Sequence, residues 1–487
     1  MSTLLSEEDL SDFISPALVC TKPTRVDEEP DSVDSNGEYV VGKEIETAQK
    51  VTITLSDCLA CSGCITSSEE IMLQRQSHTV FLKDMEELQE KRLAVTISPQ
   101  CRVNMAMYYG LTVQEFDLCF MNFFKIRFNA KYVMGLQIGR NISIQNSIDS
   151  VIQWKSQLKA NDDHRPRLSG ICPGFVIYTE KTKGELVPLL VNIKSPQQIT
   201  GKLLKAQNPN LYHLCVMACF DKKLEASRPD SVGEVDCVIT PKEFLSMLDE
   251  IKEPNLKKYL PNTHTANILS LYQELSPLGW DAKLNWSTNM GGSSGGWAYQ
   301  YVRAMQSLNP DTEIVVLPGR NSNIKEYRLL DNITKKTVAS SAELSGFRNI
   351  QNLVRNLNQN GKSPRRRVAI LKKRGKLNKS ENSHNITAIS PMSNDNNSLV
   401  ADPYKTDYIE VNASPGGCIN GGGLITISSG KSQRKEETMK LEKMYYESLS
   451  MVDPLLPLSS PSHDNSYCYE FHAIESSKDI VTVGSKW

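Results

Sequence analysis

Three cysteines fall within seven residues in Cys58-Leu-Ala-Cys61-Ser-Gly-Cys64. A C-x2-C-x2-C run wraps three thiolates around one face of an iron-sulfur cluster, and the small residues Ala60, Ser62 and Gly63 let backbone amides turn toward the sulfides. Zinc sites use the same Cys-x2-Cys unit, but as two separated pairs. A cluster is therefore the expectation, and its fourth ligand has to come from elsewhere, because no cysteine follows in the C-x3-C-P arrangement of bacterial ferredoxins. Cys20 and Cys101, each close to a proline, are the two candidates, and local sequence does not choose between them.

A second group is dispersed: Cys172 in Ser169-Gly-Ile-Cys-Pro-Gly, Cys219 in Met217-Ala-Cys-Phe-Asp-Lys-Lys-Leu-Glu225, and Cys418 in Ser414-Pro-Gly-Gly-Cys-Ile-Asn-Gly-Gly-Gly423. Any one of them alone reads as a buried core thiol. Each is flanked by turn-forming residues, however, and Cys219 and position 414 each follow a strand candidate directly. Open α/β sheets place their sites at the carboxyl ends of strands. Together the three favour a shared cluster in a cleft.

The elements that must position these residues are legible in outline. The 487 residues suggest about three structural units at ~150 residues each. Val51 to Leu55 and Leu93 to Ser98 are strand candidates of a small first unit, residues 1–110, with an acidic linker at 22–46. From about 110 to 360, strand-length apolar runs (Phe175 to Tyr178, Leu211 to Met217, Val235 to Ile239, Glu313 to Leu317) alternate with longer helical segments. That alternation predicts α/β architecture with a largely parallel sheet. A basic run at 362–379 surrounds Val368 to Leu371, a further strand candidate; a nuclear-targeting or nucleic-acid reading of it is the lesser one. An Asn- and Ser-rich insertion at 380–400 is expected to be disordered. Tyr408 to Ala413 resumes a strand, and residues 474–487 form a flexible tail.

The cysteine segments resemble the three signature stretches of iron-only hydrogenases. More closely, the whole chain is similar to the fungal cytosolic iron-sulfur assembly factors of the hydrogenase-like, prelamin-recognition-factor-like family. The match runs through Asp12-Phe-Ile-Ser-Pro, Cys20, the Cys58 cluster, Cys172-Pro-Gly, Cys219-Phe-Asp-Lys-Lys-Leu-Glu-Ala226, Gly291-Gly-Ser-Ser-Gly-Gly296, Tyr408-Ile-Glu-Val-Asn and Trp487. The resemblance implies a two-lobed hydrogenase-like body at 111–487 with parallel and mixed sheets, preceded by a small ferredoxin-like iron-sulfur domain. It assigns Cys20, Cys58, Cys61 and Cys64 to one 4Fe-4S cluster, and Cys172, Cys219 and Cys418 to a second. The family's remaining ligand falls at Ser414. A hydroxyl is a harder, far less acidic ligand than a thiol, so the second site is expected to be a labile three-thiolate one, with Cys215 a reserve ligand.

In hydrogenases the residue before Cys-Pro in the first signature is a proton-relaying cysteine; here it is Ile171, and the proton path is cut. Lys222 and Glu225 match the second signature, although an exposed helical face is the commoner setting for such residues. The function implied is a non-catalytic cluster-bearing protein of cytosolic iron-sulfur assembly, linking the early scaffold complex to the late targeting complex, in the cytoplasm and also the nucleus. The alternative is an iron-sulfur electron-transfer oxidoreductase. Gly291 to Gly296 is not a nucleotide-binding turn in order, and it is expected to pack backbone near the inner cluster. Trp487, an aromatic beside a free carboxylate, is suited to a pocket in a partner. With 55 Lys and Arg against 56 Asp and Glu, bulk charge gives no attraction to nucleic acid. No apolar run approaches the ~18 residues of a membrane helix, and the acidic amino terminus lacks the pattern of a secretory signal. A soluble intracellular protein is expected.

Overall fold

The structure is a computed structural model that describes residues 75–88, 90–157, 165–261, 268–359, 401–427, 431–454 and 465–474. The acidic linker, the strands expected at 51–55 and 368–371, the 380–400 insertion and all of the tail after Ile474 lie outside the described residues, as do Cys20, Cys58, Cys61, Cys64 and Trp487.

Twelve strands are described: β1 Arg92–Ile97, β2 Tyr132–Met134, β3 Arg167–Ser169, β4 Leu190–Val191, β5 Leu211–Val216, β6 Cys237–Ile239, β7 Thr288–Asn289, β8 Thr312–Pro318, β9 Ile324–Asp331, β10 Thr337–Ser345, β11 Tyr408–Asn412 and β12 Met451–Val452. The first lobe is built on a four-stranded sheet in the order β2-β1-β5-β6, parallel throughout. All six residues of β5 are buried, the near-continuous apolar run that a parallel strand covered on both faces requires. Helices Pro99–Tyr109 and Val113–Phe128 carry the chain from β1 to β2. The second begins with a capping box between Thr112 and Glu115, and its Phe116, Phe120, Phe123 and Phe124 pack with Phe81 and Phe244 in the first-lobe core.

The second lobe holds a six-stranded sheet in the order β4-β3-β11-β10-β9-β8. β4, β3, β11 and β10 are parallel, and β9 and β8 continue the sheet antiparallel. The expected alternation of strand and helix thus holds in one lobe and gives way to a β8–β9–β10 meander in the other, where short turns replace crossover helices. Asp331 closes the last of those turns by accepting the amides of Ile333 and Thr334.

Two expectations need correction. Phe175 to Tyr178 is not a strand but part of helix Pro173–Thr182. A four-residue apolar run cannot separate a buried strand from a buried helix, and Pro173 at the first helical position, its φ preset for a helix, decides for the helix. Nor does a boundary fall after residue 110, because β1 pairs in register with β2 on one side and β5 on the other. Residues 92–109 therefore belong to the first lobe.

Candidate metal centre

Both sheets are doubly wound, and each reverses strand order once. In the first lobe the chain proceeds from β1 to β2 on one side and to β5 and β6 on the other, so the crevice opens beyond the carboxyl ends of β1 and β5. In the second lobe the reversal lies between β3 and β11. Ligands of such sheets bind at these switch points, and here the two face each other across one cleft. Its walls include Ser98 after β1, Ala218 and Cys219 after β5, Ile171 and Cys172 after β3, and Ala413, Ser414 and Cys418 after β11. The cleft encloses about 820 Å³, counting the part open to solvent.

The three dispersed cysteines of the sequence reading meet here together with position 414. All three are partly exposed, whereas Cys101, Cys119, Cys215 and Cys237 are buried. Burial pushes the Cys172 thiol up to about 12, the neighbouring Cys418 adding to it. Burial likewise holds the Cys219 and Cys418 thiols above the ordinary range. Such thiols stay protonated unless a metal takes the proton's place. Among the described residues no three His, Cys, Asp or Glu side chains converge as ligands of a single ion do; a four-iron cluster spreads its thiolates, one to each iron.

The surroundings fit a cluster. The Ala413 amide donates to Cys172 Sγ at 3.3 Å, the kind of N–H···S contact that tunes cluster thiolates. Ser294 Oγ accepts the Cys418 amide at 2.9 Å and so fixes the glycine turn. Gly417 has φ +81°, and a Cβ there would stand 2.2 Å from Ser294 Oγ; one at Gly421 would stand 2.3 Å from the Ala218 carbonyl oxygen. No other residue lets the second-lobe turn lie this close to the first lobe. The Gly291–Gly296 segment reaches the same place, since Ser294 and Trp297 both line the cleft.

Lys222 and Glu225 do not form a solvated face. Glu225 is 3% exposed, and Lys222 Nζ donates to its Oε2 at 2.8 Å and to the Ile171 carbonyl at 3.3 Å. Burial alone would lower the lysine's pKa; the Glu225 carboxylate outweighs it and raises it, so the ammonium at the cleft wall stays charged. Ser195 Oγ anchors Glu225 Oε2 from behind at 2.8 Å.

Glu410 on β11 is also buried in the cleft wall, accepting the Ala298 amide at 2.9 Å. Burial, reinforced by nearby Glu343, pushes its carboxyl up to about 8. Glu343, which accepts the Tyr327 hydroxyl at 3.1 Å, is raised by its own burial. A carboxyl whose folded pKa exceeds its unfolded value stabilises the fold fully below the unfolded pKa, and that contribution is lost as pH rises through the folded one. Cluster-free protein should therefore lose stability between about pH 5 and pH 9, and Glu410→Gln should flatten that loss by a few kcal/mol. Urea denaturation of parent and variant at the two pH values checks this; parallel curves would refute it.

Cys215 is no reserve ligand. It lies on β5 within a small core cluster, hydrogen-bonded to Thr96 Oγ1 at 3.2 Å and His213 Nε2 at 3.3 Å, and does not line the cleft. Cys101 is fully buried in the first-lobe core. The sequence reading missed Gln100, Arg140, Gln197, Trp297 and Glu410, all of which line the cleft. The only local signal was position, since Gln100 follows β1 by three residues and Gln197 opens a helix after Ser195-Pro196.

Residues 91–422 match the family described as "Iron only hydrogenase large subunit, C-terminal domain". The cytosolic Fe-S cluster assembly factor NAR1 of Saccharomyces cerevisiae is 50% identical over 507 aligned positions covering 100% of both chains. That of Kluyveromyces lactis is 46% identical over 495, again covering 100% of both. Among solved structures, an FeFe-hydrogenase analysed for oxygen inactivation aligns with TM-score 0.53 and 17% identity, over 82% of this chain and 99% of that one. The apo FeFe-hydrogenase HydA1 of Chlamydomonas reinhardtii aligns with TM-score 0.51 and 18% identity over the same shares. At these identities the likeness concerns the two-lobed α/β fold alone.

Proposed function

This chain belongs to the family of cytosolic iron-sulfur cluster assembly factors built on the iron-only hydrogenase fold, and from that premise we propose that it is a non-catalytic carrier of two 4Fe-4S clusters. It works in cytosolic iron-sulfur protein assembly. The outer cluster is held by Cys20, Cys58, Cys61 and Cys64 in an amino-terminal ferredoxin-like domain. The inner one is held by Cys172, Cys219 and Cys418, with Ser414 in the fourth position. When bound, the clusters supply iron and sulfide and the capacity for one-electron change.

The observation that carries this reading is the meeting of three thiols from two lobes in one cleft whose neighbouring wall is Ile171, an aliphatic side chain that carries no proton. A hydrogen-evolving site needs a proton donor there. The chain acts between the early scaffold complex and the late targeting complex and delivers clusters to cytosolic and nuclear recipients. Trp487 is its anchor for the latter complex, an aromatic that fills a partner's pocket while the terminal carboxylate is captured by backbone amides.

Anaerobic hydrogen evolution from a strong reductant should stay at background for the fully loaded protein. The same protein should capture the scaffold and targeting complexes, and deletion of Trp487 should weaken the second interaction at least tenfold, as loss of an aromatic hot spot does. Sustained hydrogen evolution would sink the non-catalytic reading.

A further inference from the structure

Four buried polar atoms on the cleft walls have no protein partner, once the Asn412 side chain is paired with the Glu410 carboxyl. Two are donors, Arg140 Nε and Trp297 Nε1; two are acceptors, Gln197 Oε1 and Asp221 Oδ1. Their residues are between 1% and 4% exposed. Unpaired buried polar groups each cost about 1–3 kcal/mol, and four around one cavity point to a ligand. A cluster meets only part of this demand. Sulfides and thiolates accept hydrogen bonds, so they can serve only donors, whereas Gln197 and Asp221 call for a group that carries N–H or O–H. The same cleft presents Ser414, a hard hydroxyl, where a soft ligand is wanted.

We propose that the cleft binds a small thiol-bearing amino acid, free cysteine being the simplest, whose sulfur would complete the inner cluster in the fourth-ligand position that Ser414 occupies. This rests on the three-thiolate reading of that cluster. Arg140 and Trp297 supply the donors for the carboxylate, and Gln197 and Asp221 supply acceptors for the ammonium. Arg140 Nη1 is tied to Thr288 Oγ1 at 3.0 Å, which restrains the guanidinium while its Nε stays unpaired. The step would be an exchange without redox change: an iron–sulfur bond would form, the iron–oxygen bond to the Ser414 alkoxide or to a hydroxide would break, and the thiol proton would leave on that oxygen as serine hydroxyl or water. A fourth ligand that dissociates gives the cluster one iron open to a recipient's thiolate.

The test uses the full chain, anaerobically loaded with iron and sulfide, freed of small thiols and incubated with radiolabelled cysteine. Retention of about one cysteine per chain after desalting, with a changed electron paramagnetic resonance signal of the reduced protein, is expected. Cysteamine, which lacks the carboxylate, and 3-mercaptopropionate, which lacks the ammonium, should bind at least tenfold more weakly, as should cysteine to Arg140→Met. Ser414→Cys should keep its iron and lose both retention and the spectral change, because a protein thiolate then fills the position. An iron content of two clusters with no cysteine retained overturns this proposal alone, as does equal binding of cysteamine or undiminished retention by Ser414→Cys. An iron content of one cluster overturns it together with the inner site it rests on.

Discussion

Cys219→Ser is expected to halve the iron and sulfide of the anaerobically loaded protein, from about eight to about four of each per chain, that is, from two four-iron clusters to one. The expectation is this large because the inner site has no spare ligand. Cys219 follows β5 and is the thiol that the first lobe contributes to the cleft, while Cys172 and Cys418 follow second-lobe strands. In the proposed inner site Ser414 stands where a fourth thiolate would, so the variant would have to hold a cluster on two, with hydroxyls that bind iron far less well than thiolates. Cys215→Ser is the matched control, four residues away on the same β-strand–turn segment. Its thiol faces Thr96 and His213 in a closed core, so its iron content should be that of the parent. Mössbauer spectra should show the Cys219→Ser protein with one cluster environment where the parent has two. Iron unchanged in Cys219→Ser would remove that residue from the site.

Asp117→Ala is expected to destabilise the first lobe by about 3–5 kcal/mol, the usual penalty for stripping one partner from a buried ion pair. Arg102 donates from Nε and Nη2 to the two Asp117 oxygens at 2.9 and 2.6 Å, and both side chains are at most 5% exposed. The pair is held on every side. Arg102 Nη1 donates to the Trp286 carbonyl at 2.7 Å, the Tyr272 hydroxyl donates to Asp117 Oδ2 at 2.8 Å, and the Tyr272 and Trp286 rings stack at 4.8 Å with the guanidinium 4.9 Å from the latter. Removing the carboxylate leaves an uncompensated guanidinium in a dry site, where relaxation is blocked by the stacked rings. A fall in the thermal midpoint on the order of 10 °C follows. Calorimetry showing a change below about 1 kcal/mol would mean the pair is solvated in solution.

That Cys172, Cys219 and Cys418 would share one cleft was legible in the sequence because they sit in turns whose composition is unusual. Cys172-Pro-Gly, Cys219-Phe-Asp and the glycine run at Cys418 each announce a strand end. What could not be read was the opposite wall. Gln100, Arg140 and Gln197 occur in helices of ordinary composition, and only the strand order, which brings the β1 and β3 ends face to face, places them on the cleft. Lys222 and Glu225 misled for a related reason: three residues apart on a helix they read as a solvent-facing pair, and their burial is decided by the second lobe closing over them. Phe175 was misread because apolar runs of four carry no period. The β9–β10 hairpin was missed because its strands mix charged and small residues, and pairing with β8 on one side and β11 on the other, not composition, makes it part of the sheet.

Because the thiols come from separate lobes, the proposed inner cluster would also be a staple, and its affinity would be part of the energy that keeps the lobes shut. By linkage, whatever favours the parted arrangement weakens cluster retention by the same amount. A recipient that gains only about 1.4 kcal/mol by prying the lobes apart would loosen the cluster tenfold. Cargo release and hinge opening are then one equilibrium, and the closely packed seam at Gly421 and Ala218 sets how much work a recipient has to do.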